Sequence, residues 1–363
     1  MSGGAEDKVA SGELWRDFCR RLEAAGDIVL GADAADTPID RAEGYRYLSR
    51  LLRIALEMNL ENADTDFPSF YAASHPTAKI GADNPDNLYL NASISGERRY
   101  RITGKRGTVS ILSFGTKANR YAIDGTMAST GELDSADMIF GEDGRFEIIA
   151  SRERVDGNWL PLAEDSSMLL VRQTFLDRDA EEPATVKVEA LDAPRATPEP
   201  LDAAKLEAGF NRALAFVEGT ARTFLRWTDL FRAEQFNKLA TTDQTMFFKA
   251  GGDPTIFYIH GYWKLEPGEA LVIRTRVPDC TFWNFQLDNI WLESLDYRHL
   301  RAHVNKHSAK LDPDGALTLV IADRDIGRGN WLDTAGHSQG TMLLRWTGAK
   351  EHPIPETRVE KIG

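Results

Sequence analysis

The sequence is poor in cysteine and has no long apolar run. Only Cys19 and Cys280 occur among its 363 residues, so we expect no disulfide framework and predict a cytoplasmic protein. No apolar segment approaches the roughly 18 residues that a membrane-spanning helix needs. The start, MSGGAEDKVASGELW, lacks the apolar core of a signal peptide, so none is expected.

Basic residues are also scarce relative to acidic ones. The chain has 43 Lys and Arg against 56 Asp and Glu, a formal net charge of −13. This excess repels nucleic acid and anionic lipid, so we expect neither a nucleic-acid partner nor a membrane partner. The glycine loops G-x-G-x-x-G and G-x-x-x-x-G-K-[ST], which bind phosphate groups, are missing, and no cofactor is predicted.

The chain does contain an internal repeat. The tetrapeptide GNWL occurs at 157–160 and again at 329–332, nearly half the chain later. Each copy follows an Asp-Gly turn and an alternating apolar stretch, and each precedes another apolar stretch, SMLLVRQ or TMLLRW. Upstream, 88–114 and 257–287 both consist of short alternating segments separated by turns. This pattern is typical of β-sandwiches and predicts a duplicated β domain.

Other segments have helical periodicity. Apolar residues recur every three or four positions from Leu206 to Phe224 and again around Leu48–Leu56, and the Pro-rich stretch 191–202 precedes the first of these. The predicted fold is mainly β with added α: two related antiparallel, jelly-roll-like β-sandwich domains, an N-terminal helical region and a helical connector. The predicted ranges are 1–80 (helical), 81–192 (first sandwich), 193–248 (linker and connector) and 249–363 (second sandwich).

Several segments resemble a bacterial family known as domain of unknown function 1214. They are EGYRYLSRLL, GADNPDNLY, YRITGKRGTV, FWNFQLDNIWLESLDYR and NWLDTAGH. The resemblance covers most of the chain from Gly44 onward, with one departure at Asp325-Ile326-Gly327, where relatives usually have Asp-Pro-Gly. It implies β-sandwich domains with added helices, and it implies no established activity or catalytic residue.

Two motifs suggest chemistry that their context does not favour. GHSQG at 336–340 matches the nucleophile elbow G-x-S-x-G, but that turn leads from a strand into a helix, whereas a strand is predicted after Ser338. His299, His303 and His307 have the spacing of zinc ligands on a helix. The repeat predicts a strand around His303, along which four residues span about 13 Å. We therefore predict neither a serine hydrolase nor a metal site.

Residues shared by the two copies are expected to maintain the fold. We predict that Asn158 and Asn330 hold loop backbone and that Trp159 and Trp331 plug one end of each sandwich. Arg172 and Arg345 occupy matching positions in the last repeated strand and are predicted to support these loops.

The copies differ in the polar residues of their strands. Of 8 Trp, 5 lie in the second copy, and so do 6 of 7 His. Period-2 alternation places the polar residues of this copy on one sheet face, opposite an apolar row. A solvated outer face remains the simple alternative, but Tyr, Trp, His and Asn are typical of ligand-facing surfaces.

We therefore predict a cofactor-independent enzyme, of hydrolase, lyase or isomerase type, that acts on a small, partly apolar molecule. His260 or His303 is the predicted general acid/base, since imidazole titrates near neutral pH, and Asp288 orients it. The predicted substrate-binding residues are Tyr262, Trp263, Asn284, Trp291, Tyr297, Arg301 and Asn305. The alternative is a non-catalytic protein that binds carbohydrate or another small ligand, or an assembly protein, and either fits a homo-oligomer.

Overall fold

The fold is a pair of β-sandwiches with added helices, as described for residues 4–362 by a computed structural model. The α-helices are α1 (Ala5–Ala10), α2 (Glu13–Ala25), α3 (Asp27–Leu30), α4 (Pro38–Leu56), α5 (Ala203–Glu234) and α6 (Gln244–Lys249). A π-helical turn, Glu57–Glu61, extends α4, and a 3₁₀ turn spans Ser135–Asp137. Between residues 4 and 362, no helix combines the length and the apolar character that crossing a bilayer requires.

The strands fall into two sets. The first set is β1 (Asn87–Ser93), β2 (Tyr100–Lys105), β3 (Ile111–Arg120), β4 (Thr126–Asp134), β5 (Arg145–Ser151), β6 (Asn158–Pro161), β7 (Met168–Thr174) and β8 (Thr185–Ala190). The second set follows α5: β9 (Lys238–Ala240), β10 (Ile256–Lys264), β11 (Glu269–Arg276), β12 (Phe282–Asp288), β13 (His303–Asn305), β14 (Ala316–Ala322), β15 (Asn330–Asp333), β16 (Gln339–Thr347) and β17 (Glu356–Lys361).

The two sandwiches have the same topology. In the first, the sheets have the strand orders β1-β7-β3-β4 and β6-β5-β2-β8. In the second they have the orders β10-β16-β12-β13 and β15-β14-β11-β17. The register also agrees, because Arg172 lies between Tyr89 and Ser113 as Arg345 lies between Tyr258 and Asn284. The predicted fold class, including the duplication, is confirmed.

The repeated GNWL segments are short edge strands, not loops. Here β6 and β15 each pair with the preceding long strand, and they do so in parallel, unlike the other strand pairs of the sandwiches. The side-chain amides of both asparagines form hydrogen bonds with backbone groups. Asn158 is bonded in this way to Ile139 and Glu147, and Asn330 to Lys310 and Thr318.

Alternation along these edge strands corrects the predicted role of the tryptophans. Leu160 and Leu332 are fully buried in the sandwich cores, so Trp159 and Trp331 point to the opposite sheet face. There Trp331 is only partly buried, and Arg154 lies over the ring of Trp159, 5.4 Å from its centroid. The leucines plug the sandwiches.

The chain forms two compact units that do not follow the predicted sequence ranges. One unit consists of Met1–Leu30, Leu48–Ala78 and Asn87–Ala221, and the other of Gly31–Tyr47, Lys79–Asp86 and Arg222–Gly363. Two short segments from the N-terminal third therefore belong to the second unit. They pack there because they cover the polar face of its sheet, as described below.

Candidate functional site

The predicted polar face of the second sandwich exists, but it is buried. On β12, Trp283, Phe285 and Leu287 join the sandwich core, while Asn284, Gln286 and Asp288 point to the other side. All three polar side chains are 0% exposed. The face is therefore covered by other parts of the same unit, and the simple alternative of a solvated surface is wrong.

His260 is a core residue rather than an accessible acid/base. It is 2% exposed, and its ring stacks on Phe231 and Phe247 with centroid distances of 4.6 and 4.7 Å. Burial, followed by the positive charge of Arg345, holds the pKa of His260 well below its usual range. The imidazole is thus kept neutral inside an aromatic cluster.

Three predicted substrate-binding aromatics are also structural. The Tyr262 hydroxyl donates to Gln339, whose amide donates in turn to Asp40. Trp263 lies in the sandwich core, on the opposite face from the polar residues, and its indole donates to Thr341 O. The indole of Trp291 donates to Asp40 O. Tyr262 and Trp291 thus fix residues 31–47 against the sandwich, and Trp263 packs inside its core. None of the three rings lines an open pocket.

Residues 79–86 form the loop that covers β12, and we call them the cover loop. Gly81 has a left-handed φ of 62°, and a Cβ there would lie 2.4 Å from the Phe224 ring, so glycine is required. Ala82 is also left-handed and donates its N–H to Leu292 O at 2.6 Å. The Asn84 side chain accepts from Asp86 N, which is the local turn that asparagine favours.

The cover loop is bonded to the polar face through buried side chains. The Asn284 amide donates to Asn84 Oδ1 at 2.6 Å and to Asp86 Oδ2 at 2.8 Å. The Gln286 amide donates to Asp83 O at 2.9 Å and to the Asp288 carboxyl. These bonds satisfy groups that would otherwise be costly to bury, and they fix the loop against β12.

Charges in this network are not balanced if every group is ionised. Lys79 and Arg345 supply two positive charges, whereas Asp83, Asp86 and Asp288 supply three carboxyls, all of them buried. Burial raises the pKa of Asp288 to about 7, only partly offset by the hydrogen bond from Gln286. One of the three carboxyls thus holds its proton up to neutral pH, which reduces the imbalance.

His303 is the predicted acid/base that the structure pairs with a carboxylate. Its Nε2 lies 3.3 Å from Asp86 Oδ1, and its side chain is 22% exposed while that of Asp86 is 4% exposed. The Asn305 amide donates to the same Asp86 oxygen at 2.9 Å. Tyr297 packs edge-on against the imidazole, with centroids 5.7 Å apart, and Lys79 Nζ lies 4.9 Å from the centre of the Tyr297 ring.

The prediction that Asp288 orients the histidine is wrong, because the carboxyl group that faces His303 is that of Asp86. The Asp288 carboxyl is bonded to Gln286, and its other oxygen has no hydrogen-bond partner among residues 4–362. The strand predicted around His303 is present but short, because only His303–Asn305 pairs with β12. Arg301 precedes this strand with an exposed side chain, while His299 and His307 lie in turns and are exposed.

The GHSQG segment lacks the geometry of a nucleophile elbow. Ser338 is exposed on a bend, and β16 begins directly after it at Gln339. The neighbouring His337 has Nδ1 3.1 Å from Thr334 O and Nε2 3.7 Å from a Glu43 oxygen. The imidazole nitrogens thus face these two groups, and a strand follows the serine, as the repeat predicts.

Other features of the described chain do not include the predicted site residues. Among residues 4–362, no group of three or more His, Cys, Asp or Glu side chains is placed to hold a metal ion. A cleft of about 530 Å³ in the second unit is lined by Arg276, Asp279, Cys280, Thr281, Gly348, Lys350 and Glu351. A second cleft, of about 300 Å³, lies in the first unit among α1, α2 and α5.

Sequence reasoning missed the cover loop and misplaced Arg345. The segment KIGADNPD offers little signal of this role, because Gly, Asn, Asp and Pro are also the ordinary residues of turns. The repeat predicts that Arg345 supports the GNWL segment, but its guanidinium donates to Ala82 O and to the side-chain oxygens of Asn284 and Gln286.

Comparison with known proteins places the chain beside an uncharacterized protein. A scan of protein-family models and a search of curated proteins both find no match. A solved structure of an uncharacterized protein from Burkholderia cenocepacia is 50% identical, with 98% of each chain covered and a TM-score of 0.95. The VPA0106 protein from Vibrio parahaemolyticus is 14% identical over 93% of this chain and 100% of its own, with a TM-score of 0.49. The chain belongs to the same family as the Burkholderia cenocepacia protein.

Proposed function

We propose that the protein is an acid–base enzyme of the hydrolase, lyase or isomerase type, with His303 as general acid/base and Asp86 as the group that orients it. The observation that supports this most directly is the His303–Asp86 pair, with a partly exposed imidazole and a buried carboxylate. A carboxylate held by two amide side chains is a firm support for one imidazole tautomer.

The proposed chemistry uses the two imidazole nitrogens differently. With Nε2–H donated to Asp86, a neutral His303 has its lone pair on Nδ1. Among residues 4–362, Nδ1 has no hydrogen-bond partner. Nδ1 is also buried, so in the proposal the substrate displaces the side chains that cover it. Nδ1 then takes a proton from the substrate, and Asp86 stabilises the imidazolium that forms. The Tyr297 ring beside it suits a small, partly apolar substrate.

Two further proposals accompany this function. We propose that the chain and its Burkholderia relative belong to the family known as domain of unknown function 1214, on the motifs quoted above. We also propose that the protein works in the cytoplasm, since its only two cysteines are unpaired thiols, Cys19 and Cys280.

The test is a turnover screen with matched histidine variants. Purified wild-type protein is assayed on panels of small esters, lactones, hydroxy acids and ketones. For a substrate that is turned over, we expect His303→Gln to lower kcat by about 10²–10⁴, the usual contribution of a general acid/base. Asp86→Asn should lower it by a smaller factor, and His299→Gln, which changes an exposed turn histidine, should leave it unchanged.

Two outcomes of this screen would contradict the proposed function. Turnover that survives His303→Gln at the wild-type rate would refute the role of His303. A ligand that raises the melting temperature without being converted, and does so equally in wild type and His303→Gln, would favour the non-catalytic binding alternative.

A further inference from the structure

We infer that Arg345 is a positioning residue of the His303 site, acting through the side-chain amides of Asn284 and Gln286 and through the cover loop. This inference rests on the proposed function for its catalytic meaning, but its geometry is independent of any substrate. Arg345 lies on β16, the central strand between β10 and β12, and is 5% exposed.

The guanidinium determines which way two amide side chains point. It donates to Gln286 Oε1, to Ala82 O and, at 3.4 Å, to Asn284 Oδ1. Because a guanidinium has donors only, each amide must turn its oxygen toward Arg345 and its nitrogen away. The nitrogens then face the cover loop, where they donate to Asp86, Asn84 and Asp83 O.

The effect reaches His303 by one further contact. Asp86 accepts from Asn284 on one oxygen, and its other oxygen faces His303. If the Asn284 amide rotated, its oxygen would face the Asp86 carboxylate, and the two would repel each other. Arg345 therefore maintains the His303–Asp86 pair without touching the imidazole.

The duplication supplies a matched arginine without this relay. Arg172 has the same register position on β7 of the first sandwich, but Ser113 and Gly115 stand where Asn284 and Gln286 stand in the second. The arginine position is thus common to both copies, whereas its amide partners belong to the second copy alone. Substitutions at Arg172 control for general effects of losing this arginine.

The test measures the reactivity of each histidine toward diethyl pyrocarbonate, read by peptide mass spectrometry. In the wild type, His303 should react slowly, because Nε2 faces Asp86 and Nδ1 is buried. In Arg345→Lys and Arg345→Met, we expect its rate to rise roughly tenfold, the scale set by losing one hydrogen bond to a charged group. Asp86→Asn should give a similar rise, and Arg172→Lys and Arg172→Met should give none.

Other histidines act as internal references. The exposed His299 and His307 should react at unchanged rates in every variant, and the buried His260 should stay unreacted unless the protein opens. If Arg345→Met exposes His260, the decisive variant becomes Asn284→Ser, which copies the residue of the first sandwich and removes no buried charge. An unchanged His303 rate in a folded Arg345→Lys or Asn284→Ser protein would overturn the inference.

The activity assay separates the two proposals. If both hold, Arg345→Lys should lower kcat and leave KM close to the wild-type value, because the substrate contacts remain. If His303 is not catalytic, His303→Gln keeps its activity while the reactivity changes still occur. If Arg345 is not a positioning residue, His303→Gln and Asp86→Asn lose activity while Arg345→Lys retains it and leaves the His303 rate unchanged.

Discussion

At the scale of single residues, burial decides which polar side chains can do chemistry. Alternation predicts His260 and His303 equally as the acid/base, yet His260 is stacked between two phenylalanine rings and His303 is partly exposed beside Asp86. Likewise, Asp288 is enclosed and retains its proton to about pH 7, whereas Asp86 is held by two amides. The residue types are the same, and their surroundings give them different roles.

The raised pKa of Asp288 predicts a particular dependence of stability on pH. An acid whose pKa in the folded state is about 7, above its ordinary 3.8, stabilises the folded protein fully below pH 3.8. This contribution to the free energy of unfolding is lost as the pH rises through 7. Since one pKa unit corresponds to about 1.4 kcal/mol, the loss is a few kcal/mol. In Asp288→Asn this loss should be absent.

Urea unfolding at pH 5 and pH 8 measures the difference. The wild type should lose more unfolding free energy than Asp288→Asn between these two values. His260, whose pKa is lowered, contributes the opposite slope, because its stabilisation is lost as the pH falls below 6.5. It contributes equally to both proteins and cancels. Parallel pH profiles would mean that Asp288 titrates normally in the folded protein.

At the scale of elements, the short edge strand β15 offers a test of which side chain plugs the second sandwich. Leu332 is 0% exposed within the core, whereas Trp331 packs on the outer face beside Val320 and Ala322. We expect Leu332→Ala to lower the free energy of unfolding by roughly 2–5 kcal/mol through a cavity. Trp331→Ala should cost less than about 2 kcal/mol, because only part of the ring is buried.

Chemical denaturation of the two variants decides the matter. The result is informative because the larger side chain is predicted to matter less. A greater loss in Trp331→Ala than in Leu332→Ala would mean that the strand presents the opposite face to the core.

The elements also show how far sequence reasoning extends. Alternation correctly separated Trp283, Phe285 and Leu287 from Asn284, Gln286 and Asp288, because the two-residue period is a local property of the chain. It could not show that the polar side is covered, since the covering segments, 31–47 and 79–86, lie some two hundred residues earlier. Periodicity shows on which sheet face a side chain lies, whereas the burial of that face depends on tertiary contacts with distant segments.

At the scale of the whole molecule, the two copies of the sandwich share one framework but differ in the side chains on the sheet face opposite the core. Position for position, Ser113 corresponds to Asn284, Gly115 to Gln286 and Lys117 to Asp288. Lys117 is buried and forms an ion pair with Glu132, at the position where the second copy has an amide and carboxyl network. The repeat thus conserves the sandwich core and varies the opposite face.

Each sandwich also has its own core, and equivalent positions can therefore be compared directly. Phe114 and Phe285 have the same register, and both are 0% exposed, the first in the core of β1–β8 and the second in that of β10–β17. We expect Phe114→Ala and Phe285→Ala each to cost about 3–5 kcal/mol. Amide hydrogen exchange should show where the cost falls: faster exchange confined to β1–β8 in Phe114→Ala, and to β10–β17 together with the cover loop in Phe285→Ala. Equal acceleration of both strand sets in either variant would contradict separate cores.

The Phe285→Ala variant also has an expected effect on His303. Because a loosened β12 releases Asn284, His303 should react faster with diethyl pyrocarbonate in Phe285→Ala, and Phe114→Ala should leave its rate unchanged.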